Sequence, residues 1–145
     1  AFVDIGYSPL VFIAPKIACS ITQKLASNTP SIDWSELEFI VPEQGFARQR
    51  LEQWWRKNNI QGKIYAQVAG HEAMVSMVSL GFGIAMIPKI VLDNSPLQDK
   101  VHVLQTNTHA PKGIDIGLAV LQKELNDPAI SALWNIAQNM GEKII

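Results

Sequence analysis

The chain has 145 residues, a formal net charge of −1, 48% hydrophobic residues and 17% charged residues. This composition predicts a folded domain and excludes an intrinsically disordered chain. The balanced charge does not indicate a domain that binds nucleic acid or an anionic membrane. The single cysteine, Cys19, cannot form an internal disulfide, which fits a reducing compartment such as the cytoplasm.

The first half of the chain predicts alternating strands and helices. The opening residues have the pattern of a loop, and the apolar run "PLVFIAP" (residues 9–15) predicts a strand buried on both faces, as in a parallel sheet. A connector follows, with turns around Asn28 and Pro30 and at most one weak helical turn. Strands are predicted at 37–41 and 63–69. Between them, apolar spacing predicts a helix with a buried face of Ala47, Leu51, Trp54 and Trp55.

The second half begins with "GHEAMVSMVSLGFGIAMIP", residues 70–88. It predicts a helix that begins at Gly70 or His71, a left-handed Gly81 at its end, and a buried strand closed by Pro88. A short helix ending at Asn94, a strand at 101–104, a turn containing His109 and a strand at 114–122 follow. The last helix has Asp127 as its N-cap, and its apolar stripe comprises Ile130, Leu133, Trp134 and Ala137.

This alternation indicates an α/β fold with a mostly parallel sheet. In such sheets ligands meet the loops at the carboxyl ends of the strands, where helices begin. Two loops at residues 41–48 and 68–73 are therefore the candidate site. The first contributes Gln44, Gly45 and Arg48, and the second contributes Gly70, His71 and Glu72.

The chemistry of these loops favours an anionic ligand. Free backbone N–H groups at a helix N-terminus attract a carboxylate or phosphate, and an arginine such as Arg48 can clasp a carboxylate with two hydrogen bonds. A purely structural role stays open for two of the residues. Arg48 is at i,i+4 spacing to Glu52 on a solvated helix face, and His71 has the position of an exposed capping residue. For Arg50 the solvated face is the favoured interpretation.

Catalysis and metal binding are not indicated by any motif. The segment "HEAMV" lacks the second histidine of a zinc-binding HExxH, and the chain contains no GxSxG, P-loop or CxxC motif. An alternative α/β enzyme that uses His71, Glu72 or Cys19 lacks a paired nucleophile and base. We therefore expect no catalytic residue, no metal and no cofactor.

Four segments in order resemble the effector-binding domain of LysR-type transcriptional regulators. They are "PLVFIAP", "WSELEFIVPEQG", "HEAMVSMVSLGFG" with "IAMIP", and "IDIGLAVLQKELNDPAISALWNI". The resemblance implies a periplasmic-binding-protein-like (type II) fold of two subdomains, with the first one incomplete here. It assigns residues 1–15 to a crossover strand of the first subdomain, 16–112 to the second, effector-binding subdomain, and 113–145 to the return strand and last helix of the first.

The resemblance also implies partners and a mechanism. A small carboxylate effector enters the cleft between the subdomains, and DNA and RNA polymerase are contacted only through the full-length protein, whose DNA-binding part lies outside this sequence. A cytoplasmic homo-oligomer, either a dimer or a tetramer, and no membrane contact are implied as well. A periplasmic solute-binding protein for a small carboxylate, which shares the two-lobed architecture, is the alternative.

Within the family, "GHEAMVSMVSLGFGIAMIP", "QGFARQRLEQWWRKNNI" and "VLDNSP" resemble the activators of the ketol-acid reductoisomerase gene in branched-chain amino-acid synthesis. Such regulators respond to acetohydroxy acids, namely acetolactate and acetohydroxybutyrate. The resemblance thus implies an effector with a carboxylate, a hydroxyl and a keto group. It also implies that His71 and Glu72 border a sensing pocket in which no bond is broken.

Overall fold

The computed structural model describes residues 1–27, 31–106 and 110–140 of the chain. The strands are β1 (Phe2–Ser8), β2 (Leu10–Pro15), β3 (Glu38–Pro42), β4 (Lys63–Val68), β5 (Ala85–Pro88), β6 (Val101–Val103) and β7 (Ile114–Ala119). The helices are α1 (Ser20–Ser27), α2 (Phe46–Lys57), α3 (His71–Ser79), α4 (Lys89–Asp93) and α5 (Pro128–Met140). Short 3-10 helices cover Trp34–Glu36, Gln98–Lys100 and Gln122–Asn126. The turns predicted around Asn28 and Pro30 and at His109 lie outside the described residues.

The chain divides into two compact units. One comprises Ala1–Pro9 and the chain from Gly113 onward, and the other comprises Leu10–Lys112. β2 belongs to the larger unit because it hydrogen-bonds to β5 and β6 of that unit.

The larger unit is built on one run of paired strands in the order β4, β3, β5, β2, β6. β3 pairs with β4 in parallel, and a parallel bridge between Phe39 and Ile84 joins β3 to the start of β5. β2 pairs with both β5 and β6 in the antiparallel sense. β3, β4, β5 and β6 therefore run in one direction and β2 runs in the other.

The direction of β2 corrects the prediction of a parallel strand. Its apolar sequence does reflect burial on both faces, because Phe12 packs in one hydrophobic cluster and Ile13 in another on the opposite face, but such burial does not require parallel pairing. β3 and β4 are parallel because α2 supplies the crossover connection that parallel strands need. In the smaller unit β1 and β7 are also antiparallel, with Phe2 opposite Ala119 and Ser8 opposite Ile114.

Two hydrophobic clusters cover the two faces of the strands in the larger unit. Successive residues of a strand contribute to opposite clusters: Phe12 of β2 and Phe39 of β3 belong to one cluster, whereas Ile13 and Ile40 belong to the other. The first cluster includes Leu51, Trp54 and Trp55 from α2. The second includes Met74, Val75 and Val78 from α3. The sheet is thus sandwiched between helices, as the α/β prediction requires.

The helical predictions from periodicity are confirmed for α2 and α3. Ala47, Leu51, Trp54 and Trp55 are the buried residues of α2, as their spacing predicted. α3 begins at His71, with Gly70 as its N-cap. At its end, Gly81 N donates to the Val78 carbonyl (2.9 Å) and Phe82 N donates to the Met77 carbonyl (3.3 Å). These two bonds define a Schellman motif around a left-handed Gly81, whose φ is 89°.

Three elements differ from their predictions. The residues expected to open the chain as a loop form β1, which pairs with β7. Asp4 and Gly6, which resemble turn residues, lie at an irregularity in this pairing. The segment expected to hold one weak helical turn forms α1, with Ile21 buried against the first cluster. In α5 only Ala137 of the predicted apolar stripe is buried, and Leu133 is 58% exposed.

No helix in the described parts of the chain is both long enough and apolar enough to cross a lipid bilayer.

Candidate functional site

Two helix N-termini lie side by side at one edge of the larger unit. α2 and α3 each follow the carboxyl end of a strand, and these strands, β3 and β4, are parallel neighbours with Pro42 opposite Val68. The backbone N–H of Glu43 donates to the carbonyl of Val68 (3.1 Å), so the pairing continues into the first loop. The structure therefore brings together the two loops that the sequence singled out.

Both helices begin without a side-chain cap. Their N-cap residues are Gly45 (φ 92°) and Gly70 (φ 86°), and neither N-terminus has a side-chain capping bond. A Cβ built on either glycine meets no atom within 4 Å. The first N–H groups of each helix have no acceptor within the helix itself, and the partial positive charge of the helix end favours an anion there. The loops thus offer open space next to groups that bind anions.

Arg48 lies between the two loops and is held from three sides. Its Nη1 donates to the carbonyl of Pro42 (3.1 Å) and to the side-chain oxygen of Gln67 (3.0 Å), and its Nε donates to Glu52 Oε1 (2.7 Å). The predicted reach back to the loop and the alternative i,i+4 pair with Glu52 are therefore both present. The side chain is only 19% exposed, so its guanidinium is fixed at the carboxyl ends of β3 and β4.

His71 is the first residue of α3 and is half-buried. Burial penalises the imidazolium and lowers the pKa of His71 below its ordinary value of 6.5. The ring is therefore neutral at pH 7, with one nitrogen able to donate and the other able to accept a hydrogen bond. This half-buried position differs from the exposed capping residue of the alternative interpretation.

We expect the lowered pKa of His71 to make the folded protein less stable in mild acid. The unfolded chain binds more protons than the folded chain below pH 6.5, so the stability from neutral His71 is complete above that pH and is lost as the pH falls toward the folded-state pKa. An NMR titration of the His71 ring should give a midpoint below 6.5. His71→Gln should lose less stability on acidification than the parent; a midpoint at or above the ordinary value contradicts this prediction.

The other predicted site residues differ in their exposure and in their hydrogen-bond partners. Gln44 and Gly45 are exposed in the first loop. Glu72 has its carboxylate engaged elsewhere: its Oε1 accepts a hydrogen bond from the hydroxyl of Ser95 (2.6 Å), a residue only 2% exposed. Ser95 Oγ also accepts from the backbone N–H of Leu97 (3.2 Å). Glu72 therefore anchors the start of α3 to the turn after α4.

Sequence reasoning missed Gln67 as a member of this site. It is the last but one residue of β4, paired in register with Val41, and its amide oxygen fixes Arg48. A polar side chain near the carboxyl end of a strand in an α/β sheet is the signal that could have identified it.

The chemistry needed for an enzyme is not assembled at these positions. Cys19 Sγ lies 3.1 Å from Thr22 Oγ1, whose own proton is donated to the carbonyl of Ile17. The thiol is thus the donor of this pair and has no activating base in it. Within residues 1–27, 31–106 and 110–140, no three His, Cys, Asp or Glu side chains are grouped so that they could hold a metal ion.

Sequence comparison relates the chain to one family. The model of the LysR substrate binding domain matches residues 3–141. The chain is 44% identical over 127 residues to the HTH-type transcriptional activator IlvY of Haemophilus influenzae, covering 86% of this chain and 42% of the relative. It is 41% identical over 133 residues to the HTH-type transcriptional regulator IlvY of Escherichia coli, covering 90% and 44%. The chain therefore spans less than half the length of these relatives.

Solved structures show the same fold. The effector-binding domain of QuiR in complex with shikimate matches with a TM-score of 0.72 at 22% identity, covering all of this chain and 66% of that one. The Synechocystis CcmR regulatory domain in complex with 2-PG matches with a TM-score of 0.79 at 14% identity, covering 99% and 68%. At these identities the likeness establishes the fold alone.

These comparisons confirm the resemblance drawn from the sequence. The fold is α/β and periplasmic-binding-protein-like of type II, as expected. The relatives are named as regulators, in agreement with the expectation of a binding domain rather than an enzyme. A family model that covers nearly the whole chain, together with relatives above 40% identity, leads to one conclusion: the chain belongs to the LysR substrate-binding-domain family.

Proposed function

We propose that this chain is the effector-sensing domain of a LysR-type DNA-binding transcriptional regulator, and that its ligand is a small carboxylate. The unit Leu10–Lys112 is the effector-binding subdomain in this proposal. DNA and RNA polymerase are partners of the full-length protein only, which acts in the cytoplasm as a dimer or tetramer. The helix-turn-helix names of the relatives favour this function over a periplasmic solute-binding protein.

The observation that carries the proposal is the pair of uncapped helix N-termini beside Arg48. A carboxylate placed there accepts hydrogen bonds from the N–H groups that follow Gly45 and Gly70, in the open space that both glycines leave. Arg48 contributes its positive charge close to the same loops, held in place by Gln67 and Pro42. Because these groups are already in position, little conformational entropy is lost when the ligand binds.

The effector we propose is an acetohydroxy acid, acetolactate or acetohydroxybutyrate. The IlvY relatives support this choice through the resemblance to activators of the ketol-acid reductoisomerase gene. Its carboxylate suits the helix N-termini, and its hydroxyl and keto oxygens suit Gln44 and a neutral His71, which both donates and accepts. Glu72 acts as a positioning residue for α3 in this scheme, because its carboxylate is bound to Ser95.

The mechanism we propose is a shift between two states of the full-length regulator. The effector stabilises whichever state places both loops and Arg48 around its carboxylate, and its differential affinity for the two states sets the size of the shift. The DNA-bound oligomer then contacts RNA polymerase differently and activates transcription of the target gene.

Isothermal calorimetry of the full-length protein with acetolactate tests the proposal, with pyruvate and valine as controls. Pyruvate keeps a carboxylate and a keto group but lacks the tertiary hydroxyl, and valine replaces the hydroxyl and keto groups by an ammonium. We expect saturable binding of acetolactate, clearly weaker binding of both controls, and no turnover of the ligand. Equal binding of all three compounds would remove the acetohydroxy acid as the effector, and turnover would refute a sensor.

A further inference from the structure

A second groove lies on another face of α2. The described residues that line it are Arg50, Gln53, Trp54, Lys57, Ala110, Pro111 and Lys112, and its volume is about 230 Å³. We propose that this groove is a separate binding site for a small, doubly charged oxyanion, either a phosphate group or a dicarboxylate. The proposal stands apart from the effector site and does not depend on it.

Helix geometry separates this groove from Arg48. Arg50, Gln53 and Lys57 share one stripe of α2, because residues at i, i+3 and i+7 lie on the same face of a helix. Arg48 and Arg50 are two residues apart, which places them roughly 200° apart around the axis at 3.6 residues per turn. Arg48 projects to the ends of β3 and β4, so the groove belongs to the other side of α2.

Arg50 is the feature that points most directly to a ligand. Its guanidinium lies over the ring of Phe46, with Cζ 4.5 Å from the ring centroid, so the side chain is held in place. Its Nε is buried and has no hydrogen-bond partner. A buried donor without a partner costs about 1–3 kcal/mol, and an oxyanion that draws the Arg50 guanidinium toward the groove would offset this cost. The expectation of a solvated Arg50 is therefore wrong for this part of its side chain.

The charges around the groove have one sign. Arg50, Lys57 and Lys112 are cationic, and the described lining contains no aspartate or glutamate. The ion pairs in the described parts of the chain join Lys24 to Glu38, Arg48 to Glu52 and Lys89 to Asp93, so none of them neutralises these three cations. Three like charges facing one small space repel one another, and an anion with two charges relieves this repulsion best.

The size and walls of the groove restrict the ligand. A volume of about 230 Å³ lies below the range of about 300–1,000 Å³ typical of drug-sized ligands. Trp54 and Pro111 form an apolar wall, and Gln53 adds an amide donor beside the cations. A small metabolite with a dianionic head and a short carbon body matches this lining.

NMR titration of the ¹⁵N-labelled full-length protein tests the site at constant ionic strength. The probes are inorganic phosphate, succinate and acetate, and the reporter is the Nε–Hε signal of Arg50. We expect saturable shifts of this signal with phosphate or succinate. Tighter binding of phosphate identifies a phosphate ester, and tighter binding of succinate identifies a dicarboxylate. No saturable shift with either dianion, or equal binding of acetate, overturns the proposal.

Charge-removing variants make the test specific. Lys57→Gln and Lys112→Gln alter exposed side chains, so folding should persist, and each should weaken dianion binding about tenfold because a charge-assisted contact is lost. Arg56→Gln is the matched control: it removes the same charge from an exposed position of α2 outside the groove. Equal weakening by Arg56→Gln would show non-specific attraction and would also overturn the site.

Discussion

Gly81→Val is expected to destabilise the larger unit by about 2–6 kcal/mol, from strain of roughly 1–3 kcal/mol in the backbone and a similar amount from crowding. Gly81 has a φ of 89°, a conformation that a β-branched residue adopts only with strain. A Cβ at this position also lies 3.2 Å from Cys19 Cβ and 3.3 Å from Ile17 Cδ1. The Schellman motif that ends α3 would therefore have to shift.

Urea unfolding monitored by tryptophan fluorescence measures this effect, since Trp34, Trp54 and Trp55 lie in the same unit as Gly81. Gly81→Asn separates the two causes, because asparagine tolerates the left-handed conformation while its Cβ meets the same neighbours. We expect it to lose less stability than Gly81→Val. A Gly81→Val protein with the parent's unfolding midpoint would contradict a strained helix end.

Arg48→Ala is expected to weaken acetolactate binding at least about tenfold, whereas Arg50→Ala should leave it within about twofold. Arg48 is fixed between the two loops by Pro42 and Gln67, while Arg50 lies in the other groove. A carboxylate bound at the helix N-termini therefore loses its charged partner only when Arg48 is removed.

Calorimetry compares the acetolactate affinities of the two variants. The buffer contains no phosphate, so that no phosphate binds in the second groove during the measurement. Arg48→Lys adds a control for geometry, because a lysine keeps the charge but has no planar fork to engage Glu52, Pro42 and Gln67 together. We expect intermediate affinity for this variant. Equal affinity of the Arg48→Ala and Arg50→Ala proteins for acetolactate would contradict the assignment of Arg48 to the effector site.

The sequence was a sufficient guide where a feature depends on neighbours along the chain. The buried face of α2 followed from its apolar spacing, because a helix repeats every 3.6 residues. Gly45 and Gly70 stand at the helix starts, and Gly81 has the left-handed conformation that its position after α3 predicted. The candidate loops followed from the order of strands and helices, since parallel neighbours place their carboxyl ends at one edge.

The sequence was a poor guide where a contact joins distant segments. β1 was missed because its stability depends on pairing with β7, more than a hundred residues later. The direction of β2 was wrong because an apolar run reports burial and carries no information on strand polarity. The partner of Glu72 could not be predicted either, because its carboxylate is bound by Ser95, in a turn that no local pattern connects to α3.

Thus the residues by themselves determined the helices α2 and α3, their ends and the family, because periodicity, glycine conformation and motif order are properties of the local sequence. Only the tertiary structure decided which side chains meet. It placed Arg48 between Pro42 and Gln67, and it brought residues 110–112 against Arg50 and Lys57 on α2. These contacts arise from packing between segments far apart in sequence, where charge and distance are set by the fold as a whole.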